Sequence, residues 1–300
     1  MNNPKKVIMV RPANFGFNPE TAVSNAFQRP QEINKAQAQT LAKAEFEQMI
    51  TTLAHFGISV EVLEDSPTPI KPDAIFPNNW VSFHPDGSAV LYPMEALNRR
   101  LEIRGDVFEL VENHDASKLI DLTDFTKNSQ FLEGTGSIIF DHKNKKAFCS
   151  ISSRSDVRLF ENLCKKLNFT PISFASHDLN GKEIYHTNVM LSIGENVVVI
   201  CSEAITDVLE RALVLAQLED ADRILIDVSF TQMNNFACNC LEVNNSNGES
   251  CLIISETALA ALTQKQIAQL SSKVKLVAVK IPTIETLGGG SARCMLLGVY

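Results

Sequence analysis

The sequence predicts an α/β fold made of similar units within a single domain spanning residues 1–300. Three observations carry this expectation. Strand-like and helix-like patterns alternate along the whole chain. The blocks recur at a spacing of about 60 residues, so that about five units fill the length. No Ser/Gly-rich linker divides them. A quasi-repeating chain of this kind brings loops from several units together near a central axis.

The elements follow in order. "KVIMV" is a short apolar, β-prone run, and "NKAQAQTLAKAEFEQMITTLAHFG" after it has helical spacing and a terminal Gly that stops it. "SVEVL", "WVSFH", "AVLYPM", "GSIIFD" and "KAFCSI" read as strands, followed by the helix "SDVRLFENLCKKLNF". The strands "NVMLSIG" and "NVVVICS" lead to the helix "AITDVLERALVLAQL" and the strand "RILID". The last third holds the strand "CLIIS", a helix over "SETALAALTQKQIAQLSS" with Ser as N-cap, and the strands "KLVAVKIP" and "CMLLGVY".

Charge and composition narrow the function. The net charge of −8 and the lack of a basic stripe argue against nucleic-acid or anionic-membrane partners, which need clustered Lys and Arg. The apolar run after Lys5 and Lys6 ends at Arg11, too short for a signal-peptide core, and no window reaches the roughly 18–20 apolar residues of a membrane span. Seven scattered cysteines predict reduced thiols and a cytoplasmic protein. "CNC" at 238–240 lacks a second ligand pair at zinc-like spacing and reads as core or strand thiols, so no metal is expected. The segment "VRPANFGFNPE" carries neither a dinucleotide fingerprint nor a phosphate loop.

The residues able to do chemistry are few. In "LGGGSARCM", Cys294 has two readings: a small buried thiol beside a turn, or a nucleophile presented by a flexible Gly segment. A nucleophilic Cys needs a base, and among six His the candidate is His186, which directly precedes the strand "NVMLSIG". His55, His84, His114, His142 and His177 sit beside turn signals, at a helix end or in polar stretches and are expected to be solvated. Glu133 in "FLEGTGSIIFD" either lies in a loop or has buried partners. Asp73 and "FPNNW" at 76–80 stand at a strand entrance.

The motifs "FPNNW", "LEG" around Glu133, "SSR" ending at Arg154, "HTN" at 186–188 and "GGGSARCM", in that order, resemble the guanidine-modifying superfamily of arginine deiminases, dimethylarginine dimethylaminohydrolases and amidinotransferases. "VRPANFGFNPETAVSNAF" and "NNFACNCLEV" look most like its citrulline-utilisation hydrolases, or citrulline ureidases. The resemblance implies the pentein fold, five ββαβ-like units about a pseudo-fivefold axis. It implies Cys294 as nucleophile, His186 as general acid/base, Glu133 as its acidic partner and Arg154 as the holder of a substrate carboxylate. Arg99 or Arg100 stands at the distance of a second carboxylate ligand, and Asp73 joins the substrate-binding set. No cofactor is implied. The expected ligand is a ureido or guanidino amino acid; assembly as a homodimer is left open.

The chain departs from arginine deiminases where they carry two aspartates, in "FTRD" and "HxD" motifs, that grip a guanidinium. Here Asn79 and Asn188 stand in those places. A guanidinium offers only donors and suits carboxylates, whereas a neutral ureido group offers an oxygen as well as N–H groups and suits an amide. The expectation is therefore a hydrolase of citrulline. Its alternatives are arginine deiminase, dimethylarginine dimethylaminohydrolase and amidinotransferase activity, and, in another class, a noncatalytic pentein binding protein.

Overall fold

The computed structural model describes residues 3–112 and 114–300. Among them are fifteen strands: β1 (Lys6–Arg11), β2 (Ser59–Glu64), β3 (Val81–Phe83), β4 (Ala89–Leu91), β5 (Leu119–Asp121), β6 (Ile138–Asp141), β7 (Lys146–Ser150), β8 (Thr170–Phe174), β9 (Leu191–Ile193), β10 (Val197–Ile200), β11 (Ile224–Asp227), β12 (Leu241–Asn244), β13 (Ser250–Ser255), β14 (Lys275–Val279) and β15 (Leu297–Val299). They form five three-stranded sheets, β15-β1-β2, β3-β4-β5, β6-β7-β8, β9-β10-β11 and β12-β13-β14.

Every sheet has one plan. The middle strand pairs antiparallel with the strand before it and parallel with the strand after it. A parallel pair cannot be joined by a hairpin, so the chain crosses over through helical segments. Four of the crossovers carry longer helices: Lys35–His55, Val157–Leu167, Val208–Leu218, and the pair Glu256–Ala261 and Gln264–Ser271; a short helix at Leu97–Arg100 and 3₁₀ turns serve β4 to β5. The first helix buries Ala38, Ala42, Phe46, Met49 and Leu53, a one-face stripe, and starts at Asn34, whose side chain forms a capping box with Gln37.

Twelve of these strands coincide with the expected runs, and the three others have physical reasons for escaping notice. β5 is three half-exposed residues between 3₁₀ turns. β8 contains Pro171, which reads as a breaker but is tolerated because β8 is an edge strand. β12 follows the cysteines of "CNC". The helix expected over 255–272 is two helices: Thr263 restarts the chain with a Thr263/Gln266 capping box after Leu262 turns extended. His84 and His142, expected to be solvated, are 6% and 7% exposed, packed edge-on and stacked against Phe140 and Phe169. All seven cysteines are free and buried, and no helix among the described residues is long and apolar enough to cross a membrane.

A short turn precedes the first strand of each sheet: Pro77–Asn79, Gly134–Ser137, Thr187–Val189, residues 234–240 and Ala292–Met295. Each touches the next. Thr135 Oγ1 donates to Asn78 O, Thr187 Oγ1 to Ser137 O, Asn239 Nδ2 to Asn188 O, and the Arg293 backbone N–H to Asn239 O. The last turn packs on the first. A buried ion pair and a buried carboxylate tie the sheets together away from this ring: Arg223 grips Asp141 through two hydrogen bonds of 2.6 and 2.8 Å, and Glu242 of β12 accepts from Asn3 and from the Asn196 backbone.

The ring is packed to the limit of a hydrogen atom. A Cβ on Gly136 would lie 2.4 Å from Asn79 Nδ2 and 2.7 Å from His186 Nδ1. Gly136→Ala is therefore expected to destabilise the fold by about 1–3 kcal/mol in urea unfolding. Gly16→Ala, where an added Cβ meets nothing within 4 Å, should stay within about 0.5 kcal/mol. Equal stabilities for the two variants would contradict the close contact.

Candidate active site

The five turns deliver the chemistry. Cys294 is in the turn before β15, reached through the helix Pro282–Gly288 and a Gly289 at φ +63°. A side chain at Gly289 would strike Asn25 Nδ2 at 2.6 Å and Gln28 N at 2.7 Å; one at Gly290 would press on Phe76 at 3.0 Å. The triple glycine thus serves a left-handed turn and a close approach of backbone to its neighbours. Ser291 Oγ donates to Glu285 Oε1 at 2.6 Å and Thr257 Oγ1 to Glu285 Oε2 at 2.7 Å, which anchors the segment from the helix side.

Cys294 is 6% exposed. Asn188 Nδ2 and Asn239 Nδ2 stand 3.4 and 3.2 Å from its sulfur. His186 lines the same pocket, and its Nε2 meets Glu133 Oε2 at 2.8 Å. Burial pushes the imidazole down to about 4, only partly offset by Glu133, so the ring is neutral at physiological pH. Glu133 is fully buried and also accepts from the Glu95 backbone N–H at 3.0 Å and from Arg154 Nη1 at 3.4 Å. Burial alone would raise its carboxyl, but Arg154, His186 and Arg99 together hold it well below the usual carboxylate range. With ionised Glu133 accepting from Nε2–H, the lone pair of His186 is on Nδ1.

Asn79 has a fixed orientation. Arg99 Nη1, which can only donate, is 2.7 Å from the Asn79 oxygen, so the amide NH₂ faces the other way. Arg99 is itself held by Glu102 through hydrogen bonds of 3.0 and 2.9 Å. Three buried atoms of the site have no hydrogen-bond partner among the described residues: Asn79 Nδ2, Asn188 Oδ1 and Asp73 Oδ1. The other oxygen of Asp73 accepts from Asn18 Nδ2 at 2.7 Å and Thr21 Oγ1 at 2.9 Å.

Arg154 lies over the Tyr185 ring at 4.8 Å, and its Nη2 donates to Thr21 O at 2.9 Å and Ser24 Oγ at 2.6 Å. Residues 21–28 thereby cover the site, leaving a cavity of about 20 Å³ bordered by Cys294, His186, Arg154, Asp73, Asn79 and Arg99. That is room for about one water molecule, not an amino acid. Arg100 lies outside it: its guanidinium donates to the Met94 and Glu95 carbonyls and faces the Phe131 ring.

Of the expected residues, Cys294, His186, Glu133, Asn79, Asn188, Arg154, Arg99 and Asp73 converge, and Arg100 stays apart. Sequence reasoning missed Asn239, Tyr185, Thr21 and Glu102. The signal for Asn239 was present: it stands two residues before β12, as Asn79 stands two before β3.

The family model that matches the chain places it in the guanidine-modifying pentein superfamily. Within it, the chain belongs to the family described as N,N dimethylarginine dimethylhydrolase, eukaryotic, whose model matches residues 11–300. ArgZ, an arginine dihydrolase from the ornithine-ammonia cycle in cyanobacteria, aligns with TM-score 0.73 and 18% identity over 98% of this chain. The chain spans 40% of the length of that protein and 97% of its separately solved N-terminal domain. A dimethylarginine dimethylaminohydrolase bound as an adduct with S-methyl-L-thiocitrulline aligns with TM-score 0.66 and 14% identity over 98% of this chain and 99% of its own. At these identities the likeness to both structures is one of fold. No match was found among curated proteins.

The buried imidazole sets a pH dependence. His186 is held to about 4 in the fold against 6.5 when unfolded, so protonation favours the unfolded chain. The stability it carries is complete above about pH 6.5 and is lost as pH falls towards 4. Wild-type protein should lose about 2 kcal/mol more than His186→Gln between pH 7 and pH 5 in urea unfolding. Parallel losses in the two proteins would contradict a buried neutral imidazole.

Proposed function

We propose that the chain hydrolyses a ureido amino acid, most directly citrulline, through a covalent adduct on Cys294. The observation that carries this reading is the locked amide of Asn79. Because Arg99 takes the Asn79 oxygen, the site keeps one unmet donor, Asn79 Nδ2, beside two unmet acceptors, Asp73 Oδ1 and, as the amide of Asn188 is placed, Asn188 Oδ1. A ureido group complements that set with one oxygen and its N–H groups. A guanidinium has no acceptor and leaves Asn79 Nδ2 unmet, a penalty of about 1–3 kcal/mol or roughly 5- to 150-fold.

The sulfur, as thiolate, attacks the ureido carbon and the C=O electrons move to oxygen, where Asn79 Nδ2 stabilises the charge. The carbon–nitrogen bond then breaks as His186, carrying the thiol proton, donates it to the departing amine. Water attacks the Cys294 thioester-like adduct with His186 as base, and the sulfur leaves as thiolate. Glu133 keeps the ring oriented and stabilises it while it is charged. If ornithine departs first, the remaining carbamoyl unit ends as ammonia and carbon dioxide. Arg154, now on Ser24 and the Thr21 carbonyl, takes the α-carboxylate once residues 21–28 swing aside, its planar fork suiting that group. The five sheets are then the five blades of one pentein propeller, residues 1–300, and the reduced thiols support a cytoplasmic setting.

Arginine is the second reading. It is favoured by the two unpartnered acceptors and by the arginine dihydrolase among the similar structures. The kcat/KM ratio separates the two. Wild-type protein should favour citrulline over arginine by at least about tenfold, and Asn79→Asp, which keeps an oxygen on Arg99 and turns a second one to the substrate, should shift the ratio towards arginine by about 10- to 100-fold. Preference of the wild-type protein for arginine would refute the ureido reading.

A further inference from the structure

Attack through Cys294 needs its sulfur as a thiolate, in a site where the residue is 6% exposed and the His186 ring is bound through Nε2 to Glu133. We infer that Asn239 is a catalytic residue, whose side-chain amide donates to Cys294 Sγ and stabilises the thiolate. The inference rests on Cys294 being the nucleophile and on nothing about the substrate.

The geometry leaves Asn239 one orientation. Its Nδ2 is 3.2 Å from the Asn188 carbonyl oxygen, which can only accept, so this end of the amide is the NH₂. The second hydrogen of that NH₂ points at the sulfur, 3.2 Å away. Asn239 Oδ1 lies 3.5 Å from the same sulfur, where it accepts from the thiol form. One amide thus serves both protonation states without turning. Asn188 Nδ2 adds a longer contact of 3.4 Å, but none of the hydrogen bonds found for Asn188 fixes its flip in this way.

The surrounding chain is built for this placement. Asn239 is 2% exposed, and Cys238 and Cys240 on either side of it are buried in the core. Its backbone N–H donates to Phe236 O at 2.8 Å, and Phe236 is held at φ +64°, a conformation that a bulky residue adopts only under constraint. Its backbone oxygen accepts from the N–H of Arg293, next to the nucleophile. Donor and sulfur are therefore tied together twice, through main chain and side chain.

The test uses the reactivity of the free protein. Iodoacetamide labelling of Cys294, followed by peptide mass spectrometry across pH, reads the thiolate without any substrate. The charged and titratable groups facing the sulfur are His186, Asp73, Arg99, Arg154 and Tyr185 across the pocket and Arg293 in its own turn, and all are kept in the variants. Asn239→Asp and Asn239→Ala should each slow labelling at neutral pH by about 10- to 100-fold and move its midpoint to higher pH, more so for Asp, whose charge opposes the thiolate. A merely structural role would lower the melting temperature and leave the midpoint where it was. If Asn239→Asp does not fold, Asn239→Ala decides alone. An unmoved midpoint in a folded variant overturns the inference, whereas a wild-type Cys294 that labels no faster than the fully buried core thiol Cys149, under conditions that open residues 21–28, overturns the nucleophile assignment beneath it.

Discussion

The pairing of β15 with β1 is the constraint on which the rest of the molecule depends. It joins the last described strand to the first, Lys6 opposite Val299 and Ile8 opposite Leu297, and completes the only sheet whose strands come from both ends of the chain. The turn that carries Cys294 enters β15 directly, so the same hydrogen bonds that finish the fold fix Cys294 against the other four turns. Stability and chemistry share this seam. The glycines at 134 and 136 follow from the closed ring, because Asn78, Asn79 and His186 of neighbouring turns occupy the space a Cβ would need, while Gly289 and Gly290 make room for Asn25, Gln28 and Phe76.

Within that ring, one-sided partners decide what each amide can do. A carboxamide is ambiguous by itself, with an acceptor at one end and a donor at the other. Arg99 can only donate and so turns the NH₂ of Asn79 inward; the Asn188 carbonyl can only accept and so turns the NH₂ of Asn239 to the sulfur. Glu102 supports the first arrangement by fixing Arg99 at both ends of its fork. Arg154 pairs with Glu133 at the carboxylate that holds His186, and burial keeps the imidazole of the resting site neutral. On the proposed reading, oriented amides favour a neutral substrate group for the same reason that carboxylates favour a cation.

Much of this was legible in the sequence, for reasons that are themselves physical. Apolar runs expose strands such as β10, buried along its whole length, and β13, buried from Cys251 on, and periodicity exposes the helix Lys35–His55 with its single buried face. It fails at β8, where Pro171 is harmless on an edge, and at Leu262, where a Thr cap breaks an otherwise continuous helical pattern. Cys294, His186 and Glu133 were singled out by local signals, a Gly-rich turn, a strand entrance and a charge beside an apolar run, whereas their joint role came only from a resemblance in motif order. His84 and His142 were misread because a His beside a turn looks solvated until Phe140 and Phe169 close over it. Asn239 was overlooked because the two cysteines around it drew the eye to metal or core, while its position relative to β12 repeats that of Asn79 relative to β3.

The central claim is that oriented amides select a neutral ureido carbon for attack by Cys294. Intact-mass spectrometry of acid-quenched protein, mixed with citrulline or with arginine at equal concentration, tests it most directly, because the adduct reports both the nucleophile and the group attacked. The account predicts a carbamoyl-type adduct with citrulline, located on the peptide containing Cys294 and lost in Cys294→Ser, and far less adduct with arginine. An amidino-type adduct from arginine, with none from citrulline, would contradict it.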